Sequence, residues 1–197
     1  MNTKTNVANG DPIGHAIQDY AKSKKPFDII VSSDLCDDDI IPIEVLFRKE
    51  EEMPELELSA LDLCKGSVLD IGAGAGIHSL ALQDRGHQVK AIDLSAGAVA
   101  YMQQNGIQAA QTDFYSLENT NQFDTILSLM NGMGLAKNLA NLPTFLKKVH
   151  DLLNPEGVSL QTPPMLNTST KMKTVAIGSI SIQPITGISN FKCIIRK

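Results

Sequence analysis

Residues 68–80 read VLDIGAGAGIHSL. An apolar run stops at Asp70, Gly72, Gly74 and Gly76 alternate with alanines, and helix-forming residues follow from Ile77. A buried strand, a bare turn and a helix in that order leave few folds open. Such a turn lies at the carboxyl edge of a parallel sheet, in the crevice where ligands bind. Glycine there permits backbone that other residues resist and removes atoms that would bar close approach. The first amides of the following helix then face the ligand.

The rest of the chain agrees with that start. From Ser67 onward, apolar runs at 68–71, 88–93, 107–112, 123–130 and 158–161 read as strands. Between them, 77–84, 95–105 and 141–153 have helical spacing. Ser95 is the cap of the second of these, and Leu142, Phe145, Leu146, Val149 and Leu153 form one face of the third. Asn154-Pro155-Glu156-Gly157 reads as a turn into the last strand. Alternation at this spacing implies an α/β fold, a doubly wound, mostly parallel Rossmann-like sheet with helices on both faces.

Three segments follow. Residues 1–66 form an N-terminal helical lid: Asp11 and Pro12 open a helix with Ile13, Ala16, Ile17 and Tyr20 in step, and 42–48 and 54–64 also look helical. Residues 67–161 are the ligand-binding core. Residues 162–197 are atypical, and from 158 onward there is no Asp or Glu. Two strands, 175–183 and 191–196, are expected there as an antiparallel pair. The tail reads either as that pair or as truncated or altered.

Composition narrows the function. With 43% hydrophobic residues in 197, a packed core is expected. The net charge of −5, without a basic stripe, argues against nucleic acid as main partner. The acidic runs 37–39 and 50–52 are expected on solvated faces or in turns, and no metal-ligand spacing accompanies them. Cys36, Cys64 and Cys193 are odd in number and far apart, as in a reduced cytoplasmic protein. No apolar leader or membrane-length run is present, so a soluble, cytoplasmic protein is expected.

The glycine spacing discriminates between ligands. A dinucleotide fingerprint, G-x-G-x-x-G, needs glycine at 77, where Ile77 stands, and no Gly-Lys-Ser/Thr completes a P-loop. The wording V-L-D-I-G-A-G-A-G resembles motif I of the class I S-adenosylmethionine-dependent methyltransferases. Asp93 closes the second strand in A-I-D-L-S, Asp113-Phe114 follows the third, and Asn131-Gly132-Met133-Gly134 follows the fourth. The likeness covers 67 to about 161.

That resemblance implies S-adenosyl-L-methionine as cofactor. It implies that Gly72, Ala73, Gly74 and Gly76 form the cradle, with Asp70 steadying it and helping to hold the methionine amino group. Asp93 accepts both ribose hydroxyls, Leu94 lies against the adenine, Asp113 lies near its amino group, and Phe114 next to it is a further cofactor-binding candidate. Asn131 is a candidate contact to cofactor or acceptor. A vicinal diol offers two donors and a carboxylate paired acceptors. His78 is expected on the helix exterior or along the pocket without proton work, and no catalytic residue is assigned. The function implied is methyl transfer to a small-molecule acceptor. The alternatives are a cofactor-binding protein with little or no transferase activity and an NAD-dependent oxidoreductase, which Ile77 disfavours.

Overall fold

A computed structural model describes residues 10–33, 36–118, 122–130, 132–162, 180–183 and 192–196. Its centre is a sheet of strands β3 (Ser67–Ile71), β4 (Gln88–Asp93), β5 (Gln108–Gln111), β6 (Phe123–Ser128) and β7 (Leu153–Gln161), all parallel, with β8 (Ile180–Gln183) and β9 (Lys192–Arg196) at one edge. The order is β5-β4-β3-β6-β7-β9-β8, and β9 runs antiparallel to both neighbours. The expected terminal pair is therefore present in its described part. Strand order reverses between β3 and β6, so the crevice opens above the end of β3.

Alternation along β3 sorts the core into two faces. Val68 packs on one side with Ala81 and Leu82 of helix α3 (Ile77–Asp84) and with Ala60 and Leu61 of α2 (Glu55–Asp62). Leu69 and Ile71 pack on the other with Phe145, Val149 and Leu152 of α5 (Leu142–Leu152). Helix α4 (Ala96–Gln104) covers Ala91 through Val99 and Met102. Ser95 caps α4 by accepting from the Ala98 amide.

The N-terminal segment is only partly helical. Helix α1 (Pro12–Ser23) begins at the Asp11 cap as the sequence predicts. It crosses α4 closely, since a Cβ added to Gly97 would lie 2.6 Å from the Gly14 Cα. The Asp11 carboxylate also accepts from the Gly97 amide and the Ser95 hydroxyl, tying the two helix starts together. An antiparallel ribbon, β1 (Asp28–Ser33) with β2 (Cys36–Pro42), follows, and the acidic run 37–39 lies in its second strand. The stretch 42–48 holds a short 3-10 turn, Ile43–Leu46, rather than a helix, because β-branched Ile41 and Ile43 and the intervening Pro42 favour extended backbone. Tyr20, Phe47 and Tyr101 stack as an aromatic cluster between α1 and α4, as packing residues.

The residues expected as a turn before the fifth strand, 154–157, are included in β7. Glu156 has a left-handed φ of 63°, and the register to β6 shifts between Phe123 and Thr125, so the turn is absorbed as an irregularity. Cys64 is buried, with its thiol donating to the Ala60 carbonyl. Among the described residues no helix is long and apolar enough to cross a membrane, and no cluster of His, Cys, Asp or Glu is arranged to hold a metal.

Candidate functional site

The glycine loop bends sharply at the carboxyl edge of β3. Gly72, Gly74 and Gly76 all have left-handed φ values, of 69°, 57° and 80°. Their surroundings differ. A Cβ at Gly72 or Gly74 would meet nothing within 4 Å, whereas at Gly76 it would lie 2.5 Å from Ile107 Cδ1 and 2.9 Å from Met102 Cγ. Two glycines thus keep the crevice open and the third lets the loop close on the core. Ala73 turns its side chain into that core beside Val99 and Met102. The Gly72 and Ala73 amides both donate to the Ile92 carbonyl, so the loop is anchored to β4.

Asp93, at the end of β4, reaches back to this loop. Its Oδ2 accepts from the Gly74 amide and its Oδ1 from the Ser95 amide, both at 2.9 Å. A cleft of about 170 Å³ opens beside it, lined by Gly72, Asp93, Leu94, Asp113, Phe114 and Leu135 among others. Leu94 is 66% exposed, a large apolar side chain facing open space. Asp113 Oδ1 caps the following turn by accepting from the Tyr115 amide. The Phe114 ring is buried against Phe145 and Tyr115, so its side chain belongs to the core behind the cleft.

Asp70 lies beneath the loop, 2% exposed, and accepts from the Ser79 hydroxyl at 2.7 Å. Burial raises its carboxyl above the usual range, His78 and Ser79 pull it down, and the Asp93 charge adds to the rise. It thereby fastens the first turn of α3 to β3. The sequence-predicted residues Gly72, Asp93, Leu94, Asp113 and Phe114 line one cleft, while Gly74 bonds Asp93 from the loop and Asp70, Ala73 and Gly76 lie in the core beneath it. Asn131 lies outside the described residues.

One buried cluster was not legible at the outset. His78 does not face the helix exterior. It is buried, and its Nε2 lies 2.7 Å from Oε2 of Glu57, itself 7% exposed. Both Glu57 oxygens also take Nη2 of Arg48, at 2.6 and 2.5 Å. Burial pushes the Glu57 carboxyl up, but His78 and Arg48 outweigh it and hold it below its ordinary value. The sequence does carry a signal for this cluster. Glu57 shares the inward face of α2 with Ala60 and Leu61, and a charge on an apolar stripe needs a buried partner.

A doubly wound sheet with a bare loop after its first parallel strand, and a carboxylate at the end of the next, defines a nucleoside-binding fold of the methyltransferase type. A methyltransferase-domain family model matches residues 68–157. The chain is 42% identical to an S-adenosylmethionine-dependent methyltransferase from Bacteroides fragilis, solved in complex with S-adenosyl-L-homocysteine. That likeness covers 77% of this chain and 64% of the other, with a TM-score of 0.72. It is 28% identical over 119 residues to a ubiquinone biosynthesis O-methyltransferase of Rickettsia prowazekii, covering 57% of this chain and 46% of that protein. It is 29% identical over 102 residues to a putative methyltransferase, YqeM, of Bacillus subtilis, covering 49% of this chain and 41% of that protein. The chain spans about half the length, or less, of these curated relatives. Residues 68–157 thus carry a methyltransferase domain, and the chain is similar to S-adenosylmethionine-dependent methyltransferases.

Proposed function

We propose that this chain binds S-adenosylmethionine in the cleft at the end of β3 and β4 and transfers its methyl group to a small-molecule acceptor. The observation that carries the reading is the state of Asp93. A carboxylate has about four acceptor positions. Two are taken by the Gly74 and Ser95 amides, which fix its direction and leave acceptors for a ribose diol. Exposed Leu94 lies next to it as an apolar surface for a base, and the open Cβ positions of Gly72 and Gly74 leave room for the sulfonium arm.

When bound, S-adenosylmethionine supplies an electrophilic methyl on a sulfonium. The chain's part is to bind, orient and shield. Asp93 and Asp113 hold the nucleoside end, the open side of Gly72 and Gly74 makes room for the amino-acid end, and the N-terminal segment, docked on α4 through α1, covers the mouth. Holding acceptor and methyl in line can lower the barrier by several kcal/mol, up to roughly 7–11 in ideal cases. Residues 67–161 form the binding core. The acidic balance of the chain and the narrow cleft favour a small acceptor over nucleic acid.

Isothermal titration with S-adenosylmethionine, S-adenosylhomocysteine and NAD tests the binding. We expect both sulfur nucleosides to bind and NAD to be rejected, and tighter NAD binding would overturn the reading. A turnover screen with labelled methyl donor against metabolite pools tests the transfer. Binding without turnover across broad pools would favour a cofactor-binding protein without transferase activity.

A further inference from the structure

The Asp93 carboxylate takes its direction from two amides, and one of them belongs to a residue held from the N-terminal segment. Ser95 donates its amide to Asp93 Oδ1 at 2.9 Å and accepts the Ala98 amide on its hydroxyl oxygen. The hydroxyl hydrogen goes to Asp11 Oδ2, at 3.0 Å. The same Asp11 oxygen accepts from the Gly97 amide at 2.9 Å, while Asp11 Oδ1 caps its own helix at the Gly14 amide, also at 2.9 Å. One carboxylate thus serves the first turns of α1 and α4 together, where the positive ends of both helices meet. Partial burial pushes the Asp11 carboxyl up, but the Gly97, Ser95 and Gly14 bonds outweigh it and hold it below its ordinary value.

Neither helix needs this bridge to start, since Ser95 caps α4 and Asp11 caps α1 with its other oxygen. The crossing is nevertheless closely fitted. A Cβ at Gly97 would lie 2.6 Å from the Gly14 Cα, and one at Gly14 would lie 2.6 Å from the Ser95 hydroxyl oxygen, so both positions must be bare for Asp11 to reach α4. Gln18, further along α1, donates from Nε2 to the Gly97 carbonyl at 2.9 Å. Ile17, fully buried, packs with Ala98 of α4 and with Ala75 of the glycine loop. Helix α1 therefore touches both parts that fix Asp93: Ser95 directly, and through Ala75 the loop whose Gly74 amide bonds Oδ2.

We propose that Asp11 is a positioning residue for the nucleoside: docked on α4, it holds Ser95, and through the Ser95 amide it sets the Asp93 carboxylate toward the ribose diol. Docking of α1 and binding of the ribose are then linked, each favouring the other. The inference rests on the reading of Asp93 as the ribose ligand.

Titration calorimetry on the full chain compares S-adenosylhomocysteine with its 2′,3′-dideoxy analogue, which lacks only the two ribose hydroxyls. In the wild type the intact ligand binds at least roughly tenfold more tightly, the worth of a hydrogen bond to a charged group. Asp11→Asn keeps the α1 cap, because asparagine caps as well as aspartate, but it cannot accept on both sides. It lowers the ratio roughly two- to tenfold, the range of one neutral hydrogen bond. Both ligands report on the same folded fraction, so a merely structural role would weaken them alike and leave the ratio as it was. Gly97→Ala, which pushes α1 off α4 with Asp11 and Ser95 unchanged, serves if the asparagine variant does not fold, and it lowers the ratio likewise. Ser95→Ala lowers it too, and adding Asp11→Asn to it brings no further loss, as for two links of one chain. An unchanged ratio in Asp11→Asn or Gly97→Ala, or additive losses in the double variant, overturns the inference alone. A ratio near one in the wild type, or one that survives Asp93→Ala, removes the ribose assignment and the inference with it. Failure of the wild type to bind S-adenosylhomocysteine overturns the methyltransferase reading as well.

Discussion

Replacing Gly72 and Gly76 by alanine, one at a time, separates the two duties of the glycine loop. Both positions have left-handed φ, so an added Cβ costs about 1–2 kcal/mol in backbone strain at either. At Gly76 the methyl also meets Ile107 Cδ1 and Met102 Cγ at 2.5 and 2.9 Å. Those side chains can turn only a little, because Ile107 and Met102 are themselves buried. Overpacking of this kind adds about 1–3 kcal/mol. The sum for Gly76→Ala is about 2–5 kcal/mol, or roughly 4–20 °C in melting temperature for a domain of this size. At Gly72 nothing lies within 4 Å, so strain acts alone and the melting temperature falls by about 2–8 °C. The new methyl there projects into open space at the crevice and should weaken S-adenosylhomocysteine at least roughly tenfold. Differential scanning calorimetry and ligand titration on both variants check the pair. Equal loss of stability in the two, or unchanged affinity in Gly72→Ala, would refute the division of labour.

Asp93→Ala removes the ribose acceptor and the bonds to the Gly74 and Ser95 amides, so we expect weaker S-adenosylhomocysteine binding by titration; unchanged affinity removes the ribose assignment. Glu57→Gln leaves Arg48 and His78 without their shared carboxylate, and urea unfolding should show a loss of about 3–5 kcal/mol, as for other broken buried pairs. The Glu57 and Asp11 carboxyls are held below their ordinary values, so each contributes stability above about pH 4 that is lost as pH falls through the folded value. Asp70 has the opposite sign: its raised carboxyl contributes below its unfolded value and loses that contribution as pH rises through the folded one. Melting curves between pH 3 and pH 7, a range chosen around the carboxylate values, should therefore show an acid limb that Asp11→Asn makes shallower. An unchanged limb would show that the Asp11 bridge between α1 and α4 is not formed.

The core of this protein was legible in its sequence because the relevant physics is local. A run of buried β-formers, a glycine bend and a helix start are each set by neighbouring residues, so β3, α3 and β4 fall where the pattern puts them, and Ser95 caps α4 as expected. Asp93 and Leu94 stand at the cleft for the same reason, since a strand's end fixes where its last residues emerge. Tertiary structure alone decided the rest. The ribbon of β1 and β2 pairs chains whose local pattern is ambiguous, and cross-strand pairing rather than propensity selects it. His78, Glu57 and Arg48 come from three separate elements, and only packing brings them within bonding distance. Buried charges meet through long-range contacts that a reading along the chain cannot compute, whereas a glycine's φ is a property of its own backbone.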